Sequence, residues 1–100
     1  MRGVEMRSRS SRAEICREIT GELQDVASWF SGDGMTPEQF RRSVETFEAA
    51  KLRRFGFRLR SEVSKEGRVH FSLCDAKSGE LCASVNVNPE TGDFKVKYAC

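Results

Sequence analysis

One hundred residues, 38% of them hydrophobic and 32% charged, suit one globular domain with one core and exclude a disordered chain. No apolar run approaches the ~20 residues of a membrane-spanning helix, and the polar, arginine-rich start carries no secretory stretch, so no membrane partner is expected and the cytoplasm is the expected compartment. The net charge of +2 excludes a polybasic or polyacidic chain as a whole, yet its distribution is uneven: residues 18–40 hold five acids and no Lys or Arg, while residues 41–60 hold seven bases against two acids.

Residues 1–11 read as a flexible basic arm of Arg, Ser and Gly without periodicity, and residues 12–100 as a single α+β domain. A first helix is expected from about Ser11 to Phe30. Ile15, Ile19, Leu23, Val26 and Phe30 share one face, Ser10 or Ser11 is placed to cap the start, and Gly32 or Gly34 ends it. The second helix has the clearest start. Thr36 stands at the N-cap, Pro37 at the first helical position and Gln39 where a capping box wants Glu or Gln. Phe40, Val44 and Phe47 mark its expected apolar stripe, and Gly56 limits its far end.

Three turn signals, Ser64–Arg68, Asp75–Glu80 and Asn88–Asp93, then cut residues 54–100 into four short strands. Matching apolar residues across strands sets the register. Lys65-Glu66-Gly67 as a loop pairs Val63 with Val69, Ser61 with Phe71 and Leu59 with Leu73. Pro89–Gly92 pairs Val87 with Phe94, Val85 with Val96 and Ala83 with Tyr98. For the middle turn, a loop of Lys77-Ser78-Gly79 pairs Leu73 with Ala83 and sets Cys74 opposite Cys82; a loop one residue longer needs a bulge to restore the pattern. Either choice gives an apolar sheet face of Phe57, Leu59, Val63, Val69, Phe71, Leu73, Leu81, Ala83, Val85, Val87, Phe94, Val96 and Tyr98. The expected fold is therefore α+β and two-layered (ααββββ): two N-terminal helices packed on one face of a four-stranded antiparallel meander.

The open sheet face is expected to carry Arg58, Arg60, Glu62, His70, Ser72, Cys74, Cys82, Ser84, Asn86, Lys95 and Lys97. His70 and Cys74 lie about 13 Å apart along one strand and cannot share a metal ion whose ligands stand within ~2.3 Å of it, so no metal site is expected. Cys74 and Cys82 read as reduced thiols, with a cross-strand disulfide as the alternative, and Cys100 as a thiol able to oxidise between molecules. His70 is the one histidine, and Ser72 stands about 7 Å from it on a flat face. Neither GxGxxG, Walker A nor GxSxG occurs. No enzyme, cofactor or small-molecule substrate is expected.

Two binding roles are open. Arg41, Arg42, Lys51, Arg53, Arg54, Arg58 and Arg60, with the arm Arg2–Arg17, offer charge for phosphates. The strand aromatics other than Phe55 point inward, so no base-stacking platform faces out. A protein partner, or a second copy, is offered edge strands guarded by Arg58/Arg60 and Lys95/Lys97. Trp29 reads as tucked over the core rim; the alternative, an exposed patch of Trp29 and Met35, is a strong anchor for such a partner. The stretch Ser84–Val96 (SVNVNPETGDFKV) resembles the final hairpin of PepSY-type domains, in which a helix precedes a short meander; that single hairpin transfers no function. The expected function is a small non-catalytic protein-interaction module, an adaptor, inhibitor or assembly subunit, with nucleic-acid binding as the alternative. The residues expected at the partner surface are Trp29, Met35, Arg53, Arg54, Arg58, Arg60, His70, Lys95 and Lys97.

Overall fold

The computed structural model describes residues 12–99; the arm expected over 1–11, the caps Ser10 and Ser11, and Cys100 lie outside the described residues. Helices α1 (Arg12–Phe30) and α2 (Pro37–Phe55) precede strands β1 (Phe57–Val63), β2 (Val69–Asp75), β3 (Leu81–Val87) and β4 (Phe94–Tyr98). The strands form one antiparallel sheet in the order β1-β2-β3-β4, the meander expected from the spacing of the turns.

Helix α2 starts as its sequence dictates. The Gln39 N–H donates to Thr36 Oγ1, and the Thr36 N–H donates to Gln39 Oε1, so two of the donors orphaned at a helix start are satisfied. It ends at Gly56, whose φ of 76° lets its N–H reach back to the carbonyl of Arg53. Two core clusters show how the helices lie. Leu23, Val26, Ala27, Phe40 and Val44 pack with Val69, Phe71, Val85 and Val87. Cys16, Ile19 and Leu52 pack with Phe57, Leu73, Cys82 and Ala83. The end of α1 thus meets the start of α2, and the start of α1 meets the end of α2: an antiparallel pair on one sheet face.

Every apolar pairing expected across β1–β2 and β3–β4 is present, including Leu59 with Leu73 and Val85 with Val96. The middle hairpin takes the longer loop. Cys74 pairs with Leu81 rather than with Cys82, and the register shifts after Leu73. The reason is chemical. Asp75 Oδ1 accepts from the N–H groups of Lys77 and Ser78, and the Gly79 N–H donates to the Asp75 carbonyl. Asn88 Oδ1 accepts likewise from Glu90 and Thr91, and Gly92 N–H donates to the Asn88 carbonyl. The two turns are one motif, an Asx-initiated four-residue loop closed by a glycine at positive φ. In the middle hairpin the extra residue becomes a bulge. Leu81 is consequently 43% exposed, against the expectation that it joins the apolar face, and Cys82 sits in the core rather than on the open face. Val63 and Tyr98, at strand ends, are also exposed. The Arg17 guanidinium lies 5.4 Å from the Tyr98 ring centroid.

A second correction concerns α2. Its buried stripe is Phe40, Val44, Glu48 and Leu52, four residues apart, while Phe47 is 55% exposed. A step of four residues advances 400°, so this row drifts by only 40° per step and stays on the sheet. Phe47 falls off it toward α1.

Arg12 fastens three elements at once. Its guanidinium donates to the carbonyls of Phe55 (2.8 Å) and Gly56 (3.0 Å) and to the Asp75 carboxylate (2.5 Å), and lies 4.0 Å from the Phe57 ring centroid. Backbone N–H bonds from Ser78 and Lys77, then the Arg12 bond, hold the Asp75 carboxyl down at about 2 from 3.8. Because the folded value is depressed, Asp75 stabilises the fold above about pH 3.8 and loses that contribution as pH falls through about 2. Thermal melts across this window should fall more steeply for the native chain than for Asp75→Asn. Parallel melting curves would remove Asp75 as an acid-sensitive tie.

Candidate functional site

The residue that left the buried stripe builds the most distinctive surface. The Phe47 ring meets Trp29 edge-on, with centroids 5.6 Å apart and planes at 82°, and meets Phe30 at 6.3 Å and 78°. Trp29 is 61% exposed, which overturns the tucked reading, while Met35 is half-buried and packs against the core. Beside these rings runs a groove of about 610 Å³ lined by Phe30, Met35, Gln39, Arg42, Ser43, Thr46 and Phe47. Its floor is largely carbon, and Met35 closes one end, where the Ser43 hydroxyl approaches its sulfur at 3.8 Å. The loop carrying Met35 is fixed rather than free. The Gly32 N–H donates to the Pro89 carbonyl at 3.0 Å, and Gly92 leaves so little room that a Cβ there would stand 2.9 Å from Ser31 Oγ.

The charges around the helices fall into two kinds. Several are spent inside the fold. Arg41 bonds Glu38 and Glu45, and Ser61 bridges Arg41 and Glu45. Lys51 pairs with Glu22 across the two helices. The Arg41 bond lowers the Glu38 carboxyl below its ordinary value, and the Glu38 bond raises the Arg41 guanidinium. Others remain uncommitted: among the described residues, Arg42, Arg53, Glu18 and Asp25 enter no ion pair. All four are exposed.

The other expected residues lie elsewhere. Arg53 and Arg58 line a small cleft of about 260 Å³ where α2 meets β1, together with Glu45 and Leu59. Arg54 stands 5.8 Å from the Phe55 ring centroid. On the open sheet face the register aligns Arg60, Ser72, Ser84 and Lys97 in one row across all four strands, and Glu62, His70, Asn86 and Lys95 in the next. The cations of these rows stand on opposite edges, about 14 Å apart. His70 borders two shallow depressions of about 200 and 300 Å³ and makes no hydrogen bond to Ser72 or Ser84. Trp29 and Met35 are therefore brought to one surface; Arg53 and Arg54 stand exposed in the last turn of α2, Arg53 also bordering the α2–β1 cleft with Arg58, and Arg60, His70, Lys95 and Lys97 lie on the sheet.

Phe30 and Phe47 complete the aromatic cluster; the spacing places both on core-facing stripes, and Phe30 does pack against the core while Phe47 does not. A signal for Phe47 is present in the sequence. The row 40-44-48-52 ends on a leucine, and accepting a buried Glu48 into it frees Phe47. The same exchange leaves a carboxyl in the core: Glu48 Oε1 has no hydrogen-bond partner, and burial pushes that carboxyl above its ordinary value.

Among the described residues no three metal-ligating side chains cluster, and no helix is long and apolar enough to cross a membrane. Set against protein-family models, curated proteins and solved structures, the chain matches none.

Proposed function

We propose that this chain is a non-catalytic protein-interaction module whose docking surface is the outer side of the helix pair, at the Phe30–Met35–Phe47 groove. The observation that carries this reading is the exposure of Trp29 and Phe47 while their rings touch. A lone exposed aromatic is ordinary on a protein surface. Contiguous aromatics beside an apolar groove, rimmed by an arginine, have the composition of an interface centre. Arg42 on that rim favours a partner that brings apolar anchors at helical spacing together with carboxylates.

A photoreactive benzoylphenylalanine in place of exposed Thr46, on the groove, should give protein adducts in cells. The same group in place of Ser72, on the open sheet face, should give none. Adducts from Ser72 alone would overturn the reading and move the interface to the sheet. Nucleic-acid binding has less support, because Arg41 and Lys51 are engaged within the fold. Anisotropy with short DNA and RNA at ~50 and ~200 mM salt tests it, since binding driven by phosphates weakens steeply over that range.

A further inference from the structure

We infer that the partner docked on the helix pair is a second copy of this chain, an inference that rests on the docking role just proposed. The argument starts from the exposed stripes. On α1, Glu14, Glu18, Gly21, Asp25 and Trp29 follow one another at steps of three or four and are all exposed. On α2, Gln39, Arg42, Thr46, Ala50 and Arg53 do the same. One stripe carries acids and the other carries arginines. The bases of α1 do not offset this: Arg12 is turned to Asp75 and Arg17 to Tyr98. The acids of α2 do not either, since Glu38 and Glu45 hold Arg41 and Glu48 is buried. The chain thus presents a surface and its charge complement side by side.

A two-fold axis parallel to the helices makes use of both. Such an axis lays α1 of each copy along α2 of the other and leaves every residue at its own level. The levels are set by contacts within one copy: Trp29 stands beside Phe47 and Glu22 beside Lys51. Glu18, one turn beyond Glu22, is then level with Arg54, and Asp25 is level with Ala50, about one turn from Arg53 and Arg54. Trp29 of each copy comes over the other's groove, between Arg42 and Phe47. At mid-contact, exposed Gly21 and Ala50 allow the helices to approach closely; a Cβ at Gly21 would meet no atom of its own chain within 4 Å. The extent of the face also fits. Helices of 19 residues are about 28 Å long and two side by side are about 20 Å wide, which with side-chain relief approaches the ~800 Å² per partner of a standard interface.

Charge reversal tests this with its own rescue. Sedimentation equilibrium should show the native chain dimerising. Glu18→Arg with Asp25→Arg sets base against base, and Arg53→Glu with Arg54→Glu sets acid against acid. Each double variant should raise the dimer Kd by at least ~10-fold while keeping its native circular dichroism. Mixing the two variants makes both helix contacts complementary again, and the heterodimer should regain native-like affinity. A native chain that stays monomeric up to ~100 µM, weaker than any working self-association of this size, overturns the inference. In that case an adduct from Thr46 to a different protein keeps the docking role. A dimer indifferent to both reversals overturns the inference and, if Thr46 yields no adduct, the docking role as well.

Discussion

Val85→Asp should unfold this domain. Val85 is 1% exposed, pairs with Phe71 on one side and Val96 on the other, and packs with Leu23, Val26, Phe40 and Val44 beneath both helices. The substitution removes the roughly 1.5–3 kcal/mol that burying such a side chain supplies. It also leaves a carboxylate with no cation in the cluster, at a cost of several kcal/mol. Together these rival the ~5–15 kcal/mol by which domains are stable. The neighbour provides the control. Ser84 points to the opposite sheet face, so Ser84→Asp should keep the far-ultraviolet dichroism and a urea midpoint close to native. A folded Val85→Asp variant with the native midpoint would mean that the helices cover the other face.

The second large effect has the opposite sign. Glu48→Met should stabilise the domain by ~1–3 kcal/mol at pH 7, the cost of a buried polar group without a partner. Glu48 is 2% exposed, in line with Val44 and Leu52, and its Oε1 accepts no hydrogen bond. Burial raises this carboxyl above its ordinary 4.5, so the unfolded chain binds fewer protons than the folded one between the two values. The part of the destabilisation that comes from ionisation is absent below pH 4.5, where both states are protonated, and grows as pH rises from there to the folded value. The gain from Glu48→Met in urea unfolding should therefore shrink toward acid pH. A gain independent of pH would assign the effect to packing, and a loss at pH 7 would show that the carboxylate has a favourable role.

How much of this was legible in the sequence depends on how local the cause is. The capping box at Thr36, Pro37 and Gln39 acts over four residues and reads directly. The outer strand registers were legible because a slip of one residue would expose every apolar side chain of the strand. The middle hairpin was ambiguous because two forces compete within six residues. Apolar matching with a short loop favours Cys74 opposite Cys82, and the carboxylate of Asp75 favours the longer turn its backbone bonds complete. Turn chemistry wins, at the expense of one bulged residue. The helical stripe was harder. Phe47 is the more apolar choice, but the row through Glu48 and Leu52 follows the sheet, and burial of one carboxyl is the result. The tucked reading of Trp29 fails for a different reason: its exposed position depends on Phe47, on another helix, and no single-segment pattern contains that contact.

The tie made by Arg12 bears on how the chain is made. Arg12 reaches Asp75, 63 positions later, and the helices' apolar faces are covered by strands ending at Val87. A ribosome delivers residues in order, at ~5–20 per second. Both helices therefore leave the exit tunnel seconds before the sheet that shelters them. During that interval Leu23, Val26, Phe40 and Val44 have only each other for cover, and the nascent helical hairpin is a client for whatever guards emerging chains. Closure comes as a late event, when the third strand arrives and Arg12 can take hold of the end of the second.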